Sequence, residues 1–327
     1  MAPRMKILVI GNTGFIGNFL TKRLINKGHT IIGLDIKPPS EEQKKLCKHI
    51  TGDILNKKDV KKAAQGADMV IALAAKHHDF GVTREEFFHV NVHGTNILLD
   101  CLSELDIKKL IFYSSVAVYG TQKEPTNENT VPRPDNDYGE SKLAAEKLIN
   151  IWANEDKKRS VVIIRPTVIF GPHNYANVYN LIDKIYRKKF IFVGNGKNIK
   201  SVAYVENLVD ATIFLIDKLK SGIQIFNYSD EPQMTIAQTV ETIGNYIPHG
   251  IPKVKIPLVL AVVFGSVFDA LGKLIKYNFP ITGARMKKFA TSTYHKADKI
   301  RTYGFEQKIE TKEGFRRMVK WYMGSRS

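Results

Sequence analysis

Cysteine is scarce in this 327-residue chain: Cys47 and Cys101 are the whole supply. That excludes a disulfide framework and reads as two reduced thiols of a cytosolic protein. No Cys/His group has metal-ligand spacing, so no metal is expected. Long hydrophobic runs are missing too. The most apolar stretch, Ile256 to Ile275, falls short of the roughly 20 uninterrupted apolar residues that span a bilayer, and Asp269 breaks it. It reads as a buried or substrate-covering helix. The flanking Lys253, Lys255, Lys273 and Lys276 leave open an interfacial helix, with peripheral membrane contact through 256–275. The apolar run from Met5 ends at Gly11, too short for a secretory signal, and reads as a strand. Repeats and low-complexity tracts are absent. Acidic residues are in deficit, 32 against 49 basic, for a net charge of +17. Such a balance suits nucleic acid, an anionic membrane or a phosphate-bearing substrate. The basic residues are scattered in short pairs such as Lys44-Lys45, Lys57-Lys58, Lys61-Lys62 and Lys188-Lys189, as on solvated helix faces. With no zinc-finger spacing and no aromatic–basic signature, nucleic acid is not an expected partner.

What is present is a regular alternation. Hydrophobic residues make up 43% of the chain, enough for a large core in one or two domains. Met5–Ile10, Thr30–Asp35, His49–Ile54, Ala67–Ala75, Lys109–Ser115 and Val161–Pro166 read as strands. Helices are expected over Ile16–Lys27 (closed by Gly28), Lys57–Gln65, Val90–Leu105 and Tyr138–Asn154. Strand–helix alternation means a parallel sheet with right-handed crossovers. Beyond Gly171 the pattern loosens. Helices near Tyr175–Lys189, Glu206–Leu219, Thr235–Tyr246 and Thr311–Tyr322 alternate with short strands near Ile191, Val202 and Gln224. Residues 172–327 are expected to form a smaller substrate-binding lobe beside a first domain of residues 1–171, with some later segments returning to that domain.

The turn Gly11-Asn12-Thr13-Gly14-Phe15-Ile16-Gly17 follows the first strand directly. Gly11 permits a tight turn, Gly14 a close approach to a pyrophosphate, and Gly17 close packing of helix on strand. The phosphates would sit at a helix N-terminus, where free N–H groups and the dipole favour anions. A plain strand–turn–helix would also fit the glycines alone. Asp35, ending the second strand, adds a carboxylate where an adenosine ribose would lie. It would accept from both ribose hydroxyls and repel a 2′-phosphate, favouring NAD over NADP, with basic Lys37 nearby. Asp53 is placed to reach the adenine amine or to cap a turn.

Tyr138 and Lys142 are four residues apart and share one helix face. A free phenol, with a pKa of about 10, is a poor base. A neighbouring ammonium and a positively charged nicotinamide ring both favour phenolate. Ser115, at the end of the fifth strand, can hydrogen-bond a substrate oxygen that gains or loses charge. Alone, Tyr-x-x-x-Lys reads first as an amphipathic helix surface.

Taken in order, these pieces resemble the extended short-chain dehydrogenase/reductase family, in its NAD-dependent nucleotide-sugar epimerase/dehydratase branch. The match runs through Gly11–Gly17, Asp35, Asp53-Ile54, Leu73-Ala74-Ala75, Asn91–Thr95, Ser114-Ser115, Tyr138–Lys142, Arg165-Pro166, Gly171-Pro172 and Tyr204–Asn207. The resemblance implies an α/β protein: a Rossmann-type doubly wound parallel sheet with a smaller, mixed α/β C-terminal substrate lobe. It implies Ser115, Tyr138 and Lys142 as the catalytic set. NAD would be held by Gly11, Thr13, Gly14, Phe15, Ile16, Gly17, Asp35, Ile36, Asp53 and Ile54. Leu73, Ala74, Ala75, Asn91, Ser114, Tyr138, Lys142, Pro166 and Val168 would complete its cradle. Lys76, Ser115, His173, Asn174, Val193 and Lys200 would meet a nucleotide-diphosphate sugar. Lys200 stands where the family often has arginine, keeping the charge but losing the planar fork.

Dehydratases of this branch carry Asp-Glu after the catalytic Ser/Thr. Here Val116 and Ala117 occupy those positions and cannot transfer protons, which argues against a 4,6-dehydratase. The expected activity is epimerisation by transient oxidation of a sugar carbinol. A 4-keto-sugar reductase using NAD(P)H, a membrane-associated hydroxysteroid-type dehydrogenase and a non-catalytic NAD-binding protein remain as alternatives. The helices Val90–Leu105 and Tyr138–Asn154 carry apolar residues on more than one face, and in the family such helices pair two subunits. A homodimer in the cytoplasm is therefore expected.

Overall fold

The computed structural model describes residues 4–77, 81–251, 255–275 and 291–326. Its centre is a seven-stranded, all-parallel sheet in the order β10-β6-β5-β4-β1-β2-β3. The strands are β1 (Lys6–Ile10), β2 (Thr30–Asp35), β3 (Lys48–Thr51), β4 (Met69–Ala72), β5 (Lys109–Tyr113), β6 (Ser160–Pro166) and β10 (Gly222–Tyr228). Central strands read as unbroken apolar runs because both faces are covered. In β1, Leu8 and Ile10 enter one core while Ile7 and Val9 enter the other. The first core is closed by α3 (Lys57–Ala64), α5 (Gly94–Glu104) and α6 (Asp137–Asn154), through Val60, Leu98, Leu102, Ala145 and Ile149. The second is closed by α1 (Phe15–Asn26), α8 (Val205–Asp217) and α11 (Asp298–Thr302), through Leu20, Leu24, Leu208 and Ile300. Strand order reverses between β1 and β4, the crevice where such sheets bind ligands.

A third apolar cluster lies beyond the sheet. Phe170, Ile182, Tyr204, Val240, Phe315 and Met318 gather there from β7 (Val168–Phe170), α7 (Asn177–Tyr186), β9 (Val202–Tyr204), α9 (Ile236–Gly244) and α12 (Thr311–Gly324). Strands β7 and β9 pair in parallel. So do β8 (Phe192–Val193) and β11 (Lys255–Ile256), just ahead of α10 (Leu258–Ile275).

Several expectations shift. The strand near Gln224 is long and becomes the seventh strand of the main sheet, pairing with β6 over its whole length. The helix expected from Val90 starts earlier: α4 (Arg84–Phe88) runs through a π-helical turn, His89–His93, into α5. Thr83 forms a capping box with Glu86 that fixes the earlier start. A short α2 (Glu41–Leu46), set by the capping box of Ser40 and Gln43, has no apolar period and so left no signal. The 256–275 stretch is helical only from Leu258, Ile256 ending β11, and the helix is not buried on every side. Ala261 faces in, while Val259, Leu260, Val263 and Phe264 are exposed by 73, 49, 57 and 64%. Lys253 and Lys276 lie outside the described residues, as do the side chains of Asp269 and Lys273. No helix among the described residues is long and apolar enough to cross a membrane.

Candidate active site

The glycine turn is shaped by contacts that admit no side chain. A Cβ on Gly17 would lie 2.1 Å from the Gly11 carbonyl oxygen, and one on Gly11, at φ +88°, would meet Ala74 N at 2.9 Å. Thus Gly11 rests on the loop after β4 that carries Leu73, Ala74 and Ala75. The missed partner is Gly33, whose missing Cβ makes room for Asn12, 2.2 Å from where it would stand. Phe15 and Ile16 open α1, with Gly14 as its N-cap. Asp35 accepts from Thr13 N at 3.2 Å through one oxygen and from Lys37 N at 3.1 Å through the other. It therefore ties the glycine turn to the end of β2, beside exposed Ile36. Asp53 accepts from Leu55 N at 2.9 Å, so one of its oxygens is committed to the turn; Ile54 packs into the first core.

Asn91 is buried in the π-helical turn and joins three segments. Its carboxamide bonds both ways with the Lys76 backbone, at 2.8 and 3.0 Å, and donates to Ser141 Oγ at 2.9 Å. Ser141 Oγ in turn donates to Tyr138 O at 2.8 Å. The loop after β4 is thereby coupled to the helix that carries Tyr138 and Lys142. The Lys76 ammonium pairs with Glu86 at 3.5 Å.

Ser115 caps a 3₁₀ turn, Val116–Tyr119, its Oγ accepting from Ala117 N at 3.1 Å. The start of α6 is pressed against that turn. A Cβ on Gly139 would stand 2.4 Å from Ala117 O, so glycine lets the helix approach. Asn136 caps the helix by accepting from Gly139 N at 2.9 Å. Tyr138 packs against Phe87 with the rings tilted by 54° and their centroids 5.9 Å apart. Lys142 is 1% exposed, with Nζ 4.2 Å from the centre of the Phe112 ring at the end of β5. These contacts bring Ser115, Tyr138 and Lys142 to the same carboxyl edge of the sheet.

Burial pushes the Lys142 ammonium down to about 7, with the Glu146 carboxylate pulling the other way. Glu146 lies one helical turn on, clamped by Arg165 through two bonds of 2.9 and 2.5 Å. Arg165 also donates to the Tyr119 hydroxyl at 2.9 Å, which donates to Asn227 at 2.8 Å. This buried pair escaped the sequence reading. Its available signal was the repeat of polar residues at 138, 142 and 146 on one helix face.

Pro166 ends β6 and Val168 opens β7, 40% exposed. His173 takes a left-handed φ of +70° and leans on Trp321 at 5.1 Å. Asn174 holds that loop, donating to Ile169 O and accepting from Ala176 N, both at 2.9 Å. Val193 lies in β8 opposite Ile256, and Lys200 bridges to Thr293.

The crevice fits a dinucleotide on two grounds. Its floor is backbone held so close that a Cβ on Gly11 or Gly17 would strike a neighbouring main chain, which leaves a low glycine turn at the start of α1. Along it, Thr13 Oγ1, Ser114 Oγ and Thr167 Oγ1 are buried without a hydrogen-bond partner among the described residues. Buried hydroxyls of that kind are costly unless a ligand meets them.

The NAD dependent epimerase/dehydratase family model matches residues 7–228. The chain belongs to that family, and NAD is its cofactor. It is 35% identical over 318 residues to the N-acetyl-alpha-D-glucosaminyl-diphospho-ditrans,octacis-undecaprenol 4-epimerase of Escherichia coli O157:H7, covering 96% of this chain and 94% of that one. It is 28% identical to the decarboxylating sterol-4-alpha-carboxylate 3-dehydrogenase ERG26 of Candida albicans, over 96% of this chain and 97% of the relative. Among solved structures, the UDP-glucose 4-epimerase of Thermotoga maritima superposes with a TM-score of 0.79 at 20% identity, over 99 and 100% of the two chains, which is a likeness of fold.

Proposed function

We propose that this protein is an NAD-dependent 4-epimerase of a sugar carried on a diphosphate, working by transient oxidation of the carbinol. When bound, NAD supplies hydride acceptance and return at its nicotinamide ring. The chain's own residues manage the oxygen. Tyr138 accepts the hydroxyl proton in the oxidising half and returns it in the reducing half. Ser115 donates a hydrogen bond to the same oxygen as its charge changes. Lys142 favours the phenolate and holds the cofactor ribose. Glu146, held by Arg165, favours the charged form of Lys142. Residues 172–327, apart from α8, β10 and α11, which return to the main sheet, serve as the substrate lobe, with Lys76, His173, Asn174, Val193 and Lys200 facing the diphosphate carrier. The reading is supported above all by the contact of Gly139 with Ala117, which brings Tyr138 up to the Ser115 turn. Val116 and Ala117 carry no acid for water elimination, which favours epimerase over dehydratase.

The carrier has two readings. A nucleoside diphosphate follows from the family branch. A polyprenyl diphosphate is favoured by the relative at 35% identity, which is named for a sugar-diphospho-undecaprenol. A cytoplasmic location belongs to the same proposal, supported by the two free thiols, Cys47 and Cys101. So does a homodimer through α5 and α6, where Ile151 stands 61% exposed; light scattering that finds only monomer would remove that part.

The test is incubation of the purified protein, without added NAD(P)H, with UDP-N-acetylglucosamine and with N-acetylglucosaminyl-diphospho-polyprenol. Interconversion with the 4-epimer of either supports the proposal. Consumption of added NAD(P)H by a keto-sugar, with no epimer from either substrate, would replace it with a reductase.

A further inference from the structure

A surface helix normally turns its polar residues to water and its apolar residues to the core. The start of α10 departs from this by turning large apolar residues to water. Val259, Leu260, Val263 and Phe264 fall on one face at helical spacing, all exposed, while Ala261 and Gly265 face the protein. A contiguous apolar face of this kind marks an interaction site.

Its surroundings carry charge. Strand β11 leads into α10 and pairs with β8, Lys255 opposite Phe192 and Ile256 opposite Val193. Just before β8 come Arg187, Lys188 and Lys189, all exposed, and then Ile191, 45% exposed. Lys255 is exposed as well. One two-stranded ribbon thus joins a basic run, an exposed isoleucine and the outward apolar face of α10. The same ribbon holds Val193, one of the residues expected to border the diphosphate carrier.

We propose that this surface seats on an anionic lipid bilayer, with Leu260, Val263 and Phe264 entering the interface and Lys188, Lys189 and Lys255 meeting lipid phosphates. Apolar side chains flanked by lysines are the combination that binds such membranes, each element too weak alone. The chain's charge of +17 acts in the same direction. The proposal rests on the sugar-diphosphate epimerase reading and commits it to the lipid-carried substrate: the sugar would reach the site from the β8–β11 side while its polyprenyl chain stays in the bilayer.

Flotation of the full chain with phosphatidylcholine vesicles containing one quarter phosphatidylglycerol tests this, beside pure phosphatidylcholine vesicles. Binding is expected to the anionic vesicles, weakening as salt rises. Leu260→Asp/Phe264→Asp and Lys189→Glu/Lys255→Glu should each lower it at least tenfold, with unchanged circular dichroism and melting. Both variants should keep their turnover of soluble UDP-N-acetylglucosamine or, if that is no substrate, of a short-chain polyprenyl analogue, while losing turnover of vesicle-embedded long-chain substrate. No binding by the parent protein, or equal binding by the variants, overturns the proposal. So does loss of a dimer in Leu260→Asp/Phe264→Asp with vesicle binding intact, which would make the face a contact between copies. Vesicle binding without any epimerisation would strike the functional reading and leave the docking surface standing; epimerisation without vesicle binding would do the opposite.

Discussion

Replacing Lys142 by methionine should make the protein more stable while destroying its activity. Lys142 is 1% exposed, and its burial brings the ammonium from 10.5 to about 7. At about 1.4 kcal/mol per pH unit, folding below neutral pH works against a preference of about 5 kcal/mol for the neutral amine. The sign follows from linkage. Between about 7 and 10.5 the unfolded chain binds a proton there that the folded chain has released. Stability of the parent therefore rises with pH across that window, and the cost is largest below it. Methionine has similar length and no charge, so Lys142→Met removes the cost at every pH. The advantage of the variant should be about 4 kcal/mol at about pH 7 and about 2 kcal/mol at about pH 9. Part of it is offset because Glu146 loses a favourable neighbour, though Arg165 still pairs with it. The assay is urea unfolding of nucleotide-stripped parent and variant at both pH values, followed by circular dichroism. A variant less stable than the parent at the lower pH, or an advantage that grows with pH, would refute the reasoning.

Other substitutions probe how the site is held. Gly139→Ala places a Cβ 2.4 Å from Ala117 O, so α6 must move off the Ser115 turn; we expect a loss of about 1–3 kcal/mol in unfolding free energy and a larger proportional fall in kcat than in KM. Asn91→Ala breaks the links to the Lys76 backbone and Ser141. It should lower kcat at least tenfold with substrate KM little changed, and unaltered kcat would show that the coupling is idle. Glu146→Gln removes the carboxylate that favours Lys142 ammonium and leaves Arg165 buried without its full partner. The basic limb of the pH–rate profile should move to lower pH, and an unmoved limb would place Glu146 outside the proton chemistry.

Much of this arrangement was legible in the sequence because local rules and global fold agree. Glycines 11, 14 and 17, the carboxylate ending β2 and the 138/142 pair are each tied to one element, and each element announces itself by an apolar period. What stayed hidden depends on the meeting of distant segments. Gly33 matters only because Asn12 lies across it, and Gly139 only because the turn after β5 presses on it. The Glu146–Arg165 pair joins a helix to a strand 19 residues away. The residues around Gln224 spell only a short strand of the second half, since nothing within β10 says that it will extend the main sheet beside β6. The apolar 256–275 stretch carried the helix signal, but hydropathy cannot say which face the rest of the molecule covers. That face turned outward at Val259, Leu260, Val263 and Phe264.

The role of the Tyr138 hydroxyl is the claim on which the functional account turns, and removing that single oxygen tests it. Tyr138→Phe keeps the ring against Phe87 and deletes the proton carrier. Purified with its nucleotide, the variant should contain as much NAD as the parent and melt within a few degrees of it. It should interconvert the sugar epimers slower by about 10²–10⁴-fold, the usual worth of a general acid–base. Turnover within threefold of the parent, at equal NAD content, would contradict the account.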